Sequence, residues 1–304
     1  MGAGGISGRV ARGIIESDNC ELVFAASRDI DKAKALAEKY QITDYGDYEK
    51  LFKADIDGVY IAVIDRYHYP QIKRCLENGK HVICEKPMLI KEKEITELYE
   101  LANSRNLLLL EAMKCRYLPT IDKVRELLAG RIKPTLLTAT FCRNEIDGFS
   151  ENSFFYDKEY GGALKSVGCY VLSWALDLFP QKIIDRELKE VCKDGVDTES
   201  WLKLKNKDGM TMDLGCSVTF DFVNQACISG EGYLIRAFDF WKSYHIEVWE
   251  DDVLTAEYQE DIGSEFRYQV DFFGDTIKKA QQLSVNEREE IFLKEIASYY
   301  PTSR

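Results

Sequence analysis

Up to about residue 115, short apolar runs alternate with stretches whose apolar residues have helical spacing. In one such stretch Ile30, Ala33 and Leu36 fall on one helical face. Apolar strands that alternate with helices are typical of a parallel sheet covered on both faces. The predicted strands are Glu21–Ala26, Gly58–Val63, Lys80–Cys84 and Leu107–Glu111, and the predicted helices are Asp29–Tyr40, Tyr69–Asn78 and Lys91–Asn103.

After residue 115 the pattern changes to one dominated by strands. Met212, Leu214 and Cys216 alternate with polar residues, as in an antiparallel sheet with one covered face. Helices are predicted at 119–129, 169–178, 266–280 and about 286–299, between and after the strands. The sequence therefore predicts an α/β domain at 1–115 and an α+β domain with an open, mostly antiparallel sheet at 116–304. The C-terminal helices could pack back on the first domain.

Composition narrows the function classes. The chain has 304 residues and a net charge of −12, which argues against binding to nucleic acid or to an anionic membrane. No apolar run is long enough to span a bilayer, and the Gly-rich start does not have the pattern of a signal peptide. Nine scattered cysteines without a C-x-x-C pair predict free thiols in a reducing cytoplasm, and with only three histidines we expect no metal site.

The N-terminus carries a glycine turn, Gly2-Ala3-Gly4-Gly5-Ile6-Ser7, that fits G-x-G-x-x-(small). In a Rossmann fold such a turn lets the backbone of Gly2, Gly4, Gly5 and Ile6 approach a dinucleotide diphosphate at a helix N-terminus. The motif alone is weak, because a flexible glycine-rich start would look the same.

The residues after the first predicted strand indicate which dinucleotide is bound. At the position where a carboxylate would bind a ribose 2′-hydroxyl, the chain has Ser27-Arg28. A hydroxyl and a guanidinium favour a 2′-phosphate, which predicts NADP, with NAD as the alternative cofactor. Arg28 could equally be a solvated residue at a helix start.

A Rossmann fold places a strand directly before the glycine turn, yet Met1 and Gly2 stand there in this sequence. We therefore expect a gap in the centre of the first sheet, with backbone N–H and C=O groups on both neighbouring strands that lack hydrogen-bond partners. Either the start lies further upstream or the polypeptide is damaged or divergent.

Several segments resemble one enzyme family. Gly79-Lys80-His81-Val82 leads to Glu85-Lys86-Pro87, Glu111-Ala112-Met113 precedes Arg116, and Gly161-Gly162-Ala163-Leu164 leads to Gly168-Cys169-Tyr170. Together they resemble the glucose–fructose oxidoreductase / inositol dehydrogenase / rhizopine catabolism (Gfo/Idh/MocA) family, in its dihydrodiol dehydrogenase-like branch. The resemblance implies a Rossmann domain, NAD or NADP, a sugar-like, polyol or cyclic diol substrate, and homodimers or higher homo-oligomers formed through the C-terminal sheet.

The resemblance also implies roles for individual residues. Tyr170 would be the acid/base, and Lys86 would lie near the nicotinamide and the reacting hydroxyl. Ala62, His68, Glu85 and Pro87 would border the cofactor, and the Lys86–Pro87 bond would be cis. The substrate would contact Lys86, Arg116, Ser166 and Tyr170.

The acid–base chemistry of a phenol and an ammonium is consistent with these roles for Tyr170 and Lys86. A phenol with a pKa of about 10 is a poor base at neutral pH, and a neighbouring ammonium favours the phenolate. A tyrosine and a lysine that converge on one cleft would supply such a pair. The alternatives are a solvated lysine and a tyrosine that only packs.

Three positions depart from the family pattern. Ser166 stands where an aspartate is usual, Val63-Ile64-Asp65 replaces T-P-N, and Lys114 replaces a tryptophan. These departures leave three hypotheses: an NADP-dependent dehydrogenase or reductase, a non-catalytic dinucleotide-binding regulator, or a degraded family member.

Overall fold

The computed structural model describes residues 1–148, 150 and 153–301. The chain divides into two compact units. The first comprises Met1–Met113 and Gly263–Tyr299, and the second comprises Lys114–Ile262 with the chain from Tyr300 onward. No helix in the described ranges has the length and apolar content needed to cross a membrane.

Helices and strands alternate strictly only in the first part of the chain. The helices are α1 Ser7–Ile15, α2 Ile30–Tyr40, α3 Tyr48–Lys53, α4 His68–Glu77, α5 Glu92–Ser104, α6 Pro119–Leu128, α7 Cys169–Leu178, α8 Arg267–Lys278 and α9 Gln282–Ala297. The strands are β1 Phe24–Ala26, β2 Asp44–Gly46, β3 Gly58–Ile61, β4 His81–Glu85, β5 Leu109–Ala112, β6 Leu136–Cys142, β7 Ile183–Lys193, β8 Val196–Asn206, β9 Thr211–Ser217, β10 Gln225–Gly230, β11 Tyr233–Phe238, β12 Tyr244–Glu250 and β13 Val253–Glu260.

The first unit has the predicted Rossmann-like architecture. β1 pairs in parallel with β2, and β3, β4 and β5 form a second parallel sheet. The apolar face of α5 buries Leu98 and Tyr99 completely, and Leu293 of α9 joins the same core. Burying both faces of β1, β3, β4 and β5 explains why these strands are mostly apolar instead of alternating.

A cavity of about 510 Å³ separates the two parallel sheets, where the sequence predicts a gap. Phe24 and Ala26 of β1 line one side of it, and Gly58 and Tyr60 of β3 line the other. At one end the backbone bridges both sheets, because Gly2 N–H donates to the Ala26 carbonyl at 2.8 Å and the Met1 carbonyl accepts from Ala62 N–H at 2.8 Å.

The Met1 ammonium lies inside this unit. It donates to the Tyr60 carbonyl at 2.7 Å. Burial lowers the pKa of this amine to about 6, because a charged ammonium loses its hydration there.

The second unit is built on the open sheet that the sequence predicts. Its strand order is β13-β12-β11-β10-β6-β9-β8-β7, and the pairs are antiparallel except for β6 with β9. Met212, Leu214 and Cys216 of β9 are buried, and α7 packs against β6 and β9. The alternation of β8, with Leu202 buried and Trp201 exposed, places one face of the sheet in this core.

Candidate functional site

The glycine turn before α1 combines one close contact with open space. A Cβ added to Gly2 would lie 2.3 Å from the Ala62 carbonyl oxygen, and Gly2 has a φ of +103°. Apart from the glycines themselves and their chain neighbours, no described atom lies within 4 Å of the positions that Cβ atoms would take on Gly4 and Gly5. Helix α1 has no side-chain cap and no acidic residue in its first turn. Its N–H groups are therefore suited to an anion.

Ser27 and Arg28 follow β1 directly. Ser27 is buried, and its Oγ accepts the Asp29 N–H at 3.2 Å. Arg28 is exposed, and its guanidinium carbon lies 4.8 Å from the ring centroid of Tyr67. The stacked guanidinium is thus held beside the turn between β3 and α4.

The Glu85-Lys86-Pro87 turn lies at the end of β4, and the Lys86–Pro87 peptide bond is cis, as predicted. The Glu85 carboxylate accepts the Tyr60 hydroxyl at 2.7 Å. The Gln269 amide in turn donates to the Tyr60 oxygen at 2.8 Å. Tyr60 and Gln269 therefore orient Glu85. Gln269 comes from α8, far along the chain, and no sequence motif indicated it.

His68 connects the same turn to the loop after β3. Its ring is completely buried, with Nδ1 3.0 Å from the Pro87 carbonyl and Nε2 3.1 Å from the Val63 carbonyl. His68, Val63 and Pro87 are therefore brought together. Lys86, between Glu85 and Pro87, is partly exposed.

In the second unit the glycine-rich segment forms a π-helical turn, Leu164–Gly168, that runs directly into α7. Such turns are rare and occur frequently at functional sites. Asp197 is buried beneath it and accepts Leu164 N–H at 2.7 Å and the Ser200 hydroxyl at 2.8 Å. Asp197 was not among the residues that the sequence motifs indicated.

Tyr170 lies in the first turn of α7. Its ring is 5.6 Å from that of Phe141, which stacks on Trp241 at 3.9 Å between centroids. The Lys114 ammonium lies 5.9 Å from the Tyr170 ring centroid. The Phe141 ring and the Lys114 ammonium therefore lie close to the tyrosine within this unit.

The predicted substrate residues Arg116 and Ser166 belong to the same unit. Arg116 donates from Nε to Asp177 at 3.0 Å, and only 8% of its side chain is exposed. Ser166 lies on the π-helical turn and donates its N–H to the Gly162 carbonyl at 3.0 Å. The neighbouring Lys165 is buried, with its ammonium 2.5 Å from the Glu159 carbonyl. Contact of Arg116 and Ser166 with a substrate stays a prediction.

A polar cluster outside these regions comprises His245, Glu247 and Glu257 on β12 and β13. His245 Nε2 lies 3.0 Å from the Glu257 carboxylate. The Glu247 carboxylate accepts from Trp249 at 2.8 Å and from Arg236 at 3.3 Å. Hydrogen bonds within β12 and to its neighbouring strands account for this cluster.

Burial governs the thiols near these segments. It raises the pKa of Cys84, Cys115 and Cys216 well above the ordinary value. These thiols are therefore neutral and poorly nucleophilic at neutral pH.

Comparison with known proteins agrees with this architecture. Residues 1–112 match the model of the Gfo/Idh/MocA oxidoreductase family, NAD-binding Rossmann fold. Trans-1,2-dihydrobenzene-1,2-diol dehydrogenase of Xenopus tropicalis is 30% identical over 248 residues, which cover 79% of this chain and 74% of that protein. The human enzyme of the same name is 30% identical over 227 residues, 71% of this chain and 66% of that protein.

Two solved structures share the fold over almost the whole chain. A 3-ketoreductase from Actinomadura kijaniata, crystallised with NADP and TDP-benzene, has a TM-score of 0.82 and 20% identity and covers 99% of this chain and 98% of its own. An aldose-aldose oxidoreductase from Caulobacter crescentus has a TM-score of 0.80 and 18% identity and covers 98% and 96%.

The fold and the glycine turn define a dinucleotide-binding oxidoreductase. The chain belongs to the Gfo/Idh/MocA family, in the branch of the dihydrodiol dehydrogenases.

Proposed function

We propose that this protein is an NADP-dependent dehydrogenase or reductase. It interconverts a CH–OH group and a carbonyl on a small sugar-like, polyol or cyclic diol substrate. The observation that carries the proposal is the open glycine turn at the start of α1, where Gly4 and Gly5 leave room for a diphosphate. The diol dehydrogenase relatives support the substrate class.

The residues of the first unit fit a bound dinucleotide. The N–H groups at the start of α1 would bind the diphosphate, and Gly2 lets the turn approach Ala62. Ser27 and the stacked Arg28 would bind the 2′-phosphate of NADP. Ala62, His68, Glu85 and Pro87 would shape the wall beside the nicotinamide, which supplies or accepts the hydride when it is bound.

Lys86 and Tyr170 have different roles in the reaction. Lys86 contacts the substrate oxygen and offsets the negative charge that develops on it. Tyr170 accepts the hydroxyl proton during oxidation and returns it during reduction. Arg116 and Ser166 contact other polar groups of the substrate.

Steady-state kinetics of Tyr170→Phe tests this function on trans-1,2-dihydrobenzene-1,2-diol, cyclic polyols and aldoses. The variant keeps the ring and removes the proton carrier, so turnover should fall by about 10²–10⁴. NADP affinity, measured by fluorescence titration, should change little. Tyr258→Phe on β13 is the matched control and should keep full turnover.

The second candidate is a dinucleotide-binding regulator without catalysis. Ser166 favours it, because a hydroxyl cannot replace the aspartate carboxylate as a charged acceptor. NADP binding without turnover on any substrate of the panel would support the regulator. Full turnover by Tyr170→Phe would show that the proposed mechanism is wrong.

We also propose a cytoplasmic homodimer formed through the outer face of the eight-stranded sheet. Trp201 on β8 and Val191 on β7 lie on this face and leave 39% and 50% of their surfaces exposed. Pairing would cover this apolar surface. Light scattering should give twice the mass of the chain, and a monomer at micromolar concentration would contradict the proposal.

A further inference from the structure

Lys114 is a buried lysine beside the proposed acid/base. It belongs to a 3₁₀ turn, Lys114–Arg116, that contacts α7. Only 3% of the residue is exposed, and its ammonium lies 5.9 Å from the Tyr170 ring centroid. A buried ammonium is costly unless nearby groups stabilise its charge, so its position requires a specific environment.

Other charged groups around α7 can also influence the ionisation of Tyr170. Besides Tyr170, the charged or titratable side chains of α7 and the elements that contact it, as the structure describes them, are Lys114, Cys115, Arg116, Lys165, Asp122, Lys123, Arg125, Glu126, Cys142, Cys169, Asp177, Asp213 and Cys216.

Four other cations near α7 contact anions or carbonyl groups. Arg116 donates to Asp177, Lys165 to the Glu159 carbonyl and Lys123 to Glu126. Arg125 donates to Asp122 at 2.8 Å and also pairs with Asp177. These cations therefore have other contacts, and the Lys114 ammonium lies 5.9 Å from the Tyr170 ring centroid.

We infer that Lys114 is a positioning residue whose ammonium stabilises the phenolate of Tyr170, at a place where the family motif has a tryptophan. A tryptophan would offer a ring without a charge. A cation close to the ring of a phenol favours its ionised form. The inference rests on the proposed function, in which Tyr170 carries the proton. It assigns that tyrosine a cation from its own unit, in addition to Lys86.

The activity of this chain should therefore depend on pH differently from that of an enzyme with a tryptophan at the position of Lys114. Removing the Lys114 charge makes the phenolate harder to form. The pH at which Tyr170 ionises should therefore rise, by about one to three units if the ammonium lies close to the phenol oxygen. In the direction of alcohol oxidation Tyr170 acts as the base, so the acidic limb of the pH–rate profile should move to higher pH by the same amount.

The experiment follows Tyr170 directly in the full chain labelled with ¹³Cζ-tyrosine. The Tyr170 resonance is assigned by its loss in Tyr170→Phe, and its shift is followed as the pH rises. The midpoint is compared for the parent chain, Lys114→Met, Lys114→Arg and Lys114→Trp. Lys123→Met, on α6, is the matched control. The same variants are then used for pH–rate profiles.

We expect a raised midpoint in Lys114→Met and Lys114→Trp, and an unchanged midpoint in Lys114→Arg and Lys123→Met. Thermal melting identifies any variant that fails to fold, and the Met and Trp variants are two independent ways to remove the charge. An unchanged midpoint in a folded uncharged variant would overturn the inference. A changed KM with an unchanged pH profile would also overturn it, because Lys114 would then contact the substrate. The NMR midpoint needs no turnover, so the inference can fail or succeed separately from the proposed function.

Discussion

The Asp197 carboxylate occupies the space that a side chain at Gly162 would need. A Cβ added to Gly162 would lie 2.0 Å from Asp197 Oδ1, and Gly162 has a φ of +97°. The other carboxylate oxygen of Asp197 accepts the Leu164 N–H. A glycine and a buried aspartate far apart in sequence therefore fix the start of the π-helical turn that leads to Tyr170.

Gly162→Ala should destabilise the second unit through both strain and overlap. The backbone strain alone should cost about 1–3 kcal/mol, and displacement of Asp197 adds to it. Gly209→Ala is the control, because Gly209 has a φ of +87° with no described neighbour within 4 Å of an added Cβ. Urea denaturation should show the larger loss for Gly162→Ala. Equal losses would mean that Asp197 is easily displaced.

Arg28→Ala should remove most of a preference for NADP over NAD. Charged hydrogen bonds contribute roughly 1.5–3 kcal/mol, which corresponds to a preference on the order of tenfold to a hundredfold. Fluorescence titration with both dinucleotides measures it. Lys32→Ala, which removes an exposed cation at the start of α2, should leave the preference intact. Equal affinities of the parent chain for NAD and NADP would contradict this assignment.

Joining a short apolar extended segment to Met1 should stabilise the first unit. Its backbone and side chains can enter the cavity between β1 and β3, and its amide replaces the buried ammonium. Because the amine has a pKa of about 6 in the folded state, the unextended chain should lose stability as the pH falls from 8 towards 6. The loss is at most about 2–3 kcal/mol, and extension should abolish it.

Thermal melting and urea denaturation at pH 8 and pH 6 measure both effects, and titration measures NADP affinity, which should rise. A glycine–serine extension of equal length is the control. It also removes the ammonium and should therefore abolish the pH dependence of stability. Because it lacks apolar side chains, it should raise the melting temperature less than the apolar segment does. No change in melting temperature or NADP affinity with the apolar segment would mean that the cavity does not accept a strand.

Ser166→Asp tests whether the substrate site follows the usual family pattern. If a family polyol is the substrate, the restored carboxylate should hold one of its hydroxyls and raise kcat/KM. Ser166→Asn is the control, because it has similar size without the charge. Loss of an existing activity in Ser166→Asp would instead show that Ser166 serves a different substrate.

Local patterns predicted the elements on which the site is built. The apolar runs at 58–63 and 80–84 became β3 and β4, and the helix predicted at 169–178 matches α7. The Glu85-Lys86-Pro87 motif correctly indicated a cis peptide bond. These features depend on residues close together in sequence, so a pattern can reveal them.

Features that depend on distant partners were not predicted. β2 has only three residues, Asp44–Gly46, and no apolar run, so it is defined by pairing with β1. The π-helical turn has an ordinary helical composition, and it depends on Asp197, which follows Leu164 by 33 positions. Gln269 reaches Tyr60 from α8 across 209 positions.

The first unit is built from two separate segments of the chain, and this affects how it folds during translation. Its strands are complete once Met113 has been made, but α8 and α9 are translated only after the entire second sheet. Leu293 and Ala297 belong to the same core as Leu98 and Leu109. While the ribosome is still translating residues 114–262, that apolar face has no helix to cover it. A nascent chain stalled in this interval would expose it to chaperones and proteases.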